Sequence, residues 1–172
     1  LPNQLADVGL TNTYRDADGV VRHFTPAFLA RDQLPNLGFA TLLAVKAAGL
    51  DPQQASWKFA GVEIPNAYDI RHIGFVGPPQ TVLRLSISRF LSPQAEADRD
   101  IQRLKNKVVI IAVEYTGEQD IHLTPYSRTY LGFQGQMMSG PELIANIVET
   151  LLTGRFPHPI APWFRLLYLA IV

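Results

Sequence analysis

The chain has no cysteine among its 172 residues. Disulfides, thiolate catalysis and Cys-ligated zinc are therefore excluded. Charge is also scarce: Asp, Glu, Lys and Arg make up 17% of the chain, against about a quarter in an ordinary soluble domain. The two signs balance, with 15 basic and 15 acidic side chains, so there is no basic footprint for nucleic acid. No run of Lys and Arg marks a lipid-headgroup patch, no Gly-x-Ser-x-Gly elbow presents a nucleophile, and no glycine-rich loop leads into a helix to cradle a phosphate. Internal repeats and low-complexity tracts are missing as well. What remains is a chain that is 47% hydrophobic, long enough for one domain with a core of its own.

The order of elements follows from periodicity and punctuation. Residues 8–12 and 20–24 are β-prone, and Asp16-Ala17-Asp18-Gly19 lies between them, which predicts an N-terminal β-hairpin. A helix is expected over residues 35–48, with Pro35 in its first turn and Gly49 as its left-handed cap. Residues 57–64 and 71–76 are short strand candidates. After Pro78-Pro79, residues 81–87 alternate as a half-buried strand. Ser92-Pro93 opens a polar helix to about residue 104. Residues 107–113 form a continuous apolar, mostly β-branched run, the pattern of a strand covered on both faces in a mainly parallel sheet. A long loop over residues 114–136 follows. Ser139-Gly140-Pro141-Glu142 reads as a capping box, opening a helix that runs to Leu152 and ends at Gly154. The expected fold is a single α/β domain, a mixed and mainly parallel sheet flanked by helices, over residues 1–154. Residues 155–162 read as a Pro-rich linker. Residues 163–172 are apolar except for Arg165 and begin with aromatics, as a transmembrane helix does at the interface.

Few residues carry candidate chemistry. Asp16 and Asp18 mimic the start of a calcium loop, but Val20, Val21, His23 and Phe24 supply none of the further ligands, so the segment reads as a turn. The four histidines, His23, His72, His122 and His158, show no zinc-hydrolase spacing. No metal and no cofactor is expected. Ligands on open α/β sheets sit beyond the carboxyl ends of the strands. The loop after residue 113 is therefore the candidate ligand-binding region, with Glu114, Asp120, His122 and Thr124. Asp120 and Thr124 also suit hydrogen bonds to the loop's own backbone.

Four motifs in order carry a resemblance. They are Gly9-x-x-Asn12 with Asp16-x-Asp18-Gly19-Val20-Val21-Arg22; residues 104–111, Leu-Lys-Asn-Lys-Val-Val-Ile-Ile; Asp120-Ile121-His122-Leu123-Thr124-Pro125; and residues 140–154, from Gly140-Pro141-Glu142 to Thr153-Gly154. Together they resemble the second type of CHASE domain, the cyclases/histidine kinases associated sensory extracellular family, over residues 9–172. The resemblance implies a sensor region outside the cytoplasmic membrane, followed by membrane helices and a cyclase, kinase or similar output module. Residues 163–172 then sit where the first of those helices would begin. Ala112 stands where the family usually has Gly after the central strand. The family also carries a strand-helix-strand half before the hairpin, which this sequence does not contain, so part of a binding pocket is expected outside it.

The implied function is signal input to a bacterial receptor in the inner membrane, with the domain on the periplasmic or extracellular side. Its partner would be a small-molecule or envelope signal and no nucleic acid, and a homodimer is compatible with this arrangement. No catalysis is expected. Two alternatives stay open: a hydrolase-like α/β enzyme using His122 and Asp120, and a structural or dimerising module.

Overall fold

The computed structural model describes residues 7–29, 35–113, 120–129 and 134–157. Glu114, His158, most of the Pro-rich segment and the apolar residues 163–172 lie outside them. The elements are β1 (His23–Phe24), β2 (Ala27–Leu29), β3 (Pro35–Leu37), α1 (Phe39–Ala47), β4 (Ser56–Phe59), β5 (Val62–Pro65), β6 (Arg71–His72), α2 (Ile87–Phe90), α3 (Arg99–Gln102), β7 (Ile121–His122), β8 (Met138–Ser139) and α4 (Gly140–Thr153). The strands pair two by two, β1 with β6, β2 with β3, β4 with β5 and β7 with β8, and every pair is antiparallel. The chain thus mixes helices with short strands, but the described residues form no mainly parallel sheet.

Local signals act where they are strong. Gly49 adopts φ 68°; its N–H donates to Lys46 O at 3.0 Å and the Leu50 N–H to Val45 O at 2.9 Å. This is the double bond of a Schellman cap, and it ends α1. Ala60 and Gly61, at φ 45° and 88°, form the two-residue turn between β4 and β5, where positive φ at both positions matches the strands' twist. The Asp16–Gly19 turn closes with Gly19 N–H on Asp16 O at 2.9 Å. Its flanks do not form the expected hairpin. Leu10 bridges Gly38 in parallel, β1 pairs with β6, and Val21 N–H donates to Leu123 O at 2.7 Å.

The core joins α1, α4 and the β4–β5 hairpin through Val45, Trp57, Ile64, Leu143, Val148 and Leu151, all buried. One row of α4 is polar and equally buried: Glu142, Asn146 and Thr150, spaced four residues apart. This row supplies acceptors to the segment 74–82, which is irregular and turns between Pro78 and Thr81. Thr150 Oγ1 accepts from Gly74 N–H at 2.9 Å, Asn146 Oδ1 from Val76 N–H at 2.9 Å, and Glu142 from the N–H groups of Gln80 at 3.0 Å and Val82 at 3.3 Å. These amides are partly withdrawn from water, and helix side chains supply their acceptors. Glu142 is therefore not the reciprocal arm of a capping box. Ser139 is the N-cap of α4, but its side chain makes no capping bond.

The two central strand assignments are corrected. Residues 82–86 run without a ladder into the one-turn helix α2. The polar helix predicted after Ser92 is broken into a 3-10 turn at Ala95–Ala97 and the short α3. Residues 108–113 make no backbone hydrogen bond among the described residues, and Ile111 is 85% exposed. Their β-branched pattern records a preference for extended backbone. It does not supply a neighbour. Val108, Ile110 and Ala112 instead border an apolar groove that Pro141 and Ala145 of α4 complete.

Candidate functional site

Strand pairing places the first pair of candidates. In the β7–β8 ladder Ile121 lies opposite Ser139 and His122 opposite Met138. Asp120 therefore falls beside Gly140, whose N–H donates to Asp120 O at 2.9 Å. The Asp120 carboxylate lies against the first residue of α4, where the helix dipole favours a negative charge, and a Cβ on Gly140 would collide with it. Residues two apart on a strand share a face. The Asp120 side chain is half exposed, His122 is 8% exposed, and Asp120 Oδ1 lies 2.9 Å from His122 Nε2. An ionised carboxylate only accepts, so a neutral His122 carries its proton on Nε2. Its Nδ1 is then an acceptor, buried and without a partner among the described residues.

Asp120 and His122 border a cavity of about 210 Å³. One wall is the first two turns of α4, through Gly140, Leu143, Ile144 and Ile147; another is the start of α1, with Phe39 and Thr41. The segment from Leu10 to Tyr14 and the stretch His23 to Thr25 close the rest. Thr41 is fully buried, and its hydroxyl also lacks a partner among the described residues. Among the described lining residues there is no Lys or Arg, and Asp120 is the one carboxylate.

His23 enters the site in the same way as His122. Its Nδ1 lies 2.7 Å from Asp16 Oδ1, and its ring sits 4.3 Å from that of His72 and edge-on to Tyr14. Burial pushes the Asp16 carboxyl up, but hydrogen bonds from Arg22 and His23 outweigh this and hold it below the usual carboxylate range. Arg22 also grips Asp18 at 2.9 and 2.8 Å, and Arg128 adds a contact at 3.2 Å. The oxygens of this turn are thus engaged by cations of the chain itself. Among the described residues no three His, Asp or Glu side chains gather where a metal ion could be held.

The candidates separate accordingly. Asp120 and His122 come together at the cavity, and Glu114 lies outside the described residues. Thr124 is fully buried, does not line the cavity, and is the N-cap of the short 3-10 turn Pro125–Ser127. Ser127 ties this turn to the loop: its Oγ accepts from Thr124 N–H at 2.9 Å and donates to Gln136 O at 2.8 Å. His23 and Thr41 were missed by sequence reasoning. Thr41 has no sequence signal, since a Thr on the apolar face of a helix reads as core. The Asp16–His23 pairing was hidden by the expected hairpin register.

A family model described as CHASE2 domain matches residues 2–172. No curated protein and no solved structure matches the chain.

Proposed function

The chain belongs to the CHASE2 domain family, a family of extracellular sensory domains, and from that premise we propose that it is the signal-input domain of a membrane-bound receptor that holds a small molecule in the cavity at Asp120 and His122. One observation carries this reading: the cavity wall is built from the first two turns of α4, and the other end of α4 passes through Gly154 into the Pro-rich segment 155–162. A ligand that fills the cavity would contact Leu143, Ile144 and Ile147 and bias the position of the helix that leads out of the domain. Such a ligand shifts an equilibrium only by its differential affinity for the two helix positions. Residues 163–172 would continue into the membrane, the domain would face the outside of the cytoplasmic membrane, and a cyclase, kinase or similar module would receive the signal.

The sensory character of the family also favours a role without catalysis. A hydrolytic relay needs a nucleophile or water within hydrogen-bond reach of the imidazole. Asp120 is in place as an orienting carboxylate, but among the described residues no hydroxyl contacts His122 Nδ1.

The test is a thermal-shift screen of the domain against envelope metabolites, since a ligand stabilises by mass action. Ile144→Trp, which fills the cavity, should abolish the shift given by any hit. A hit that stabilises Ile144→Trp as well as the wild type places the site elsewhere and overturns the assignment.

A further inference from the structure

Residues 108–113 are a strand-forming segment without a strand to pair with among the described residues. They contain no charged or polar side chain, and their β-branched residues favour extended backbone. They make no backbone hydrogen bond among the described residues. On one side Val109 is 48% exposed, Ile111 85% and Val113 69%. Residues two apart share a face of an extended chain, so these three form one apolar strip when the segment is extended. Val108 and Ile110, which alternate with them, are partly buried and border the grooves beside Ala145 of α4. Open amides and carbonyls next to exposed apolar side chains are a template for another strand. A small molecule or a lipid tail would cover the side chains and leave the backbone groups unmet. An extended polypeptide meets both.

We propose that the occupant is a second copy of this chain, joined by antiparallel pairing of residues 108–113 about a two-fold axis at Ile111. The strip suits its own copy. Pairing centred on Ile111 sets Ile111 against Ile111 and Val109 of one copy against Val113 of the other, so that exposed apolar side chains cover one another. The segment carries no charge that would repel its copy. Its flanks are opposite in sign: Arg103, Lys105 and Lys107 precede it in the sequence, and Glu114, Glu118 and Asp120 follow it. Antiparallel pairing brings the basic flank of each copy towards the acidic flank of the other, whereas parallel pairing would bring like charges together. The contact is isologous, so it closes at two copies. It does not depend on the cavity at Asp120 and His122.

The test is sedimentation equilibrium of the whole chain across a concentration series, with deuterium exchange at both ends of the series. The mass should rise from 19.1 kDa to twice that value and no further. In the single chain the amides of residues 108–113 exchange freely; in the dimer they should gain protection. Ile111→Lys puts two ammonium groups opposite each other across strands ~5 Å apart, and should weaken association by about tenfold or more. Ile111 is exposed in the single chain, so the melting temperature of this variant at low concentration should match the wild type. Val113→Lys probes the same strip from a second position. Lys107→Glu reverses part of the basic flank and should also weaken the dimer, most at low salt. A monomer at every concentration overturns the proposal and leaves the segment to an unlike partner. Growth beyond two copies shows an open assembly and overturns the two-fold pairing. A dimer that is as tight in Ile111→Lys and Val113→Lys as in the wild type lies on another surface, and overturns it too.

Discussion

Glu142 is a charge placed inside the core, 4% exposed. Burial pushes its carboxyl up, but N–H groups of Gln80 and Val82 and the guanidinium of Arg84, at 2.6 Å, more than offset this and hold it below its ordinary value of 4.5. A folded-state value below the unfolded one means that the unfolded chain binds the proton more readily. The stability from Glu142 is therefore present above about pH 4.5 and is lost as pH falls through the lower folded value. Glu142→Gln should be less stable at neutral pH and should lose less on acidification, which urea midpoints measured across pH 3–7 would reveal; parallel curves for the two proteins would contradict this. Asp120 poses the opposite case, a half-exposed carboxylate whose work is to orient a buried ring. Asp120→Ala strands His122 with both nitrogens unpartnered, at a cost on the order of 1–3 kcal/mol, or several degrees in melting temperature. Gly140→Ala should reproduce much of that loss, because its Cβ would displace the same carboxylate. If Gly140→Ala leaves the ¹⁵N tautomer pattern of His122 unchanged, Asp120 is not what holds the ring.

At the scale of elements, α4 acts as a row of acceptors. Its buried polar row satisfies the amides of segment 74–82, which lie 60 to 76 residues away in sequence. Asn146→Leu keeps the branched shape but leaves the Val76 N–H without its acceptor, and should destabilise by about 1–3 kcal/mol, read from chemical denaturation. Leu at that position would be neutral if water could reach Val76. Segment 108–113 is the counterpart with no such support. Its amides should exchange with deuterium far faster than those of β4 and β5, which are paired over four residues each. Comparable protection in the two segments would mean that residues 108–113 have a hydrogen-bond partner after all. The β-branched run was legible in the sequence; the absence of a neighbour among the described residues was not, because a propensity describes one chain segment and a ladder needs two.

Over the whole molecule, the path from cavity to chain end runs along α4. Gly154, at φ 67°, ends the helix, and the turn of the β4–β5 hairpin packs on it through Ala60. Pro159 and Pro162 lie outside the described residues; because proline restricts φ, we propose that the Pro-rich segment 155–162 acts as a semi-rigid strut. In a full-length receptor of the proposed kind, replacing Pro157, Pro159 and Pro162 by Gly and Ser should uncouple output from stimulus while ligand affinity at the cavity is retained. A normal response would show that the strut transmits nothing.

What the sequence by itself determined is local. The turn at Asp16–Gly19, the glycine caps at Gly49 and Gly154, and the start of α4 at residue 140 all depend on groups within a few residues of one another, so their chemistry is complete in the text of the chain. The family resemblance is likewise a matter of linear motifs, and the match over residues 2–172 supports it. Asp120 and His122 were named from the sequence as members of a long loop; the β7–β8 pairing is what makes their segment extended and brings their side chains to one face. Only the tertiary structure decided which strand pairs with which, that α4 would serve the amides of segment 74–82, and that His23 and Thr41 would meet His122 at one cavity. Periodicity reports which face of an element is to be covered. It does not report what covers it, because burial of apolar surface is non-directional and the partner is chosen by the packing of the whole chain.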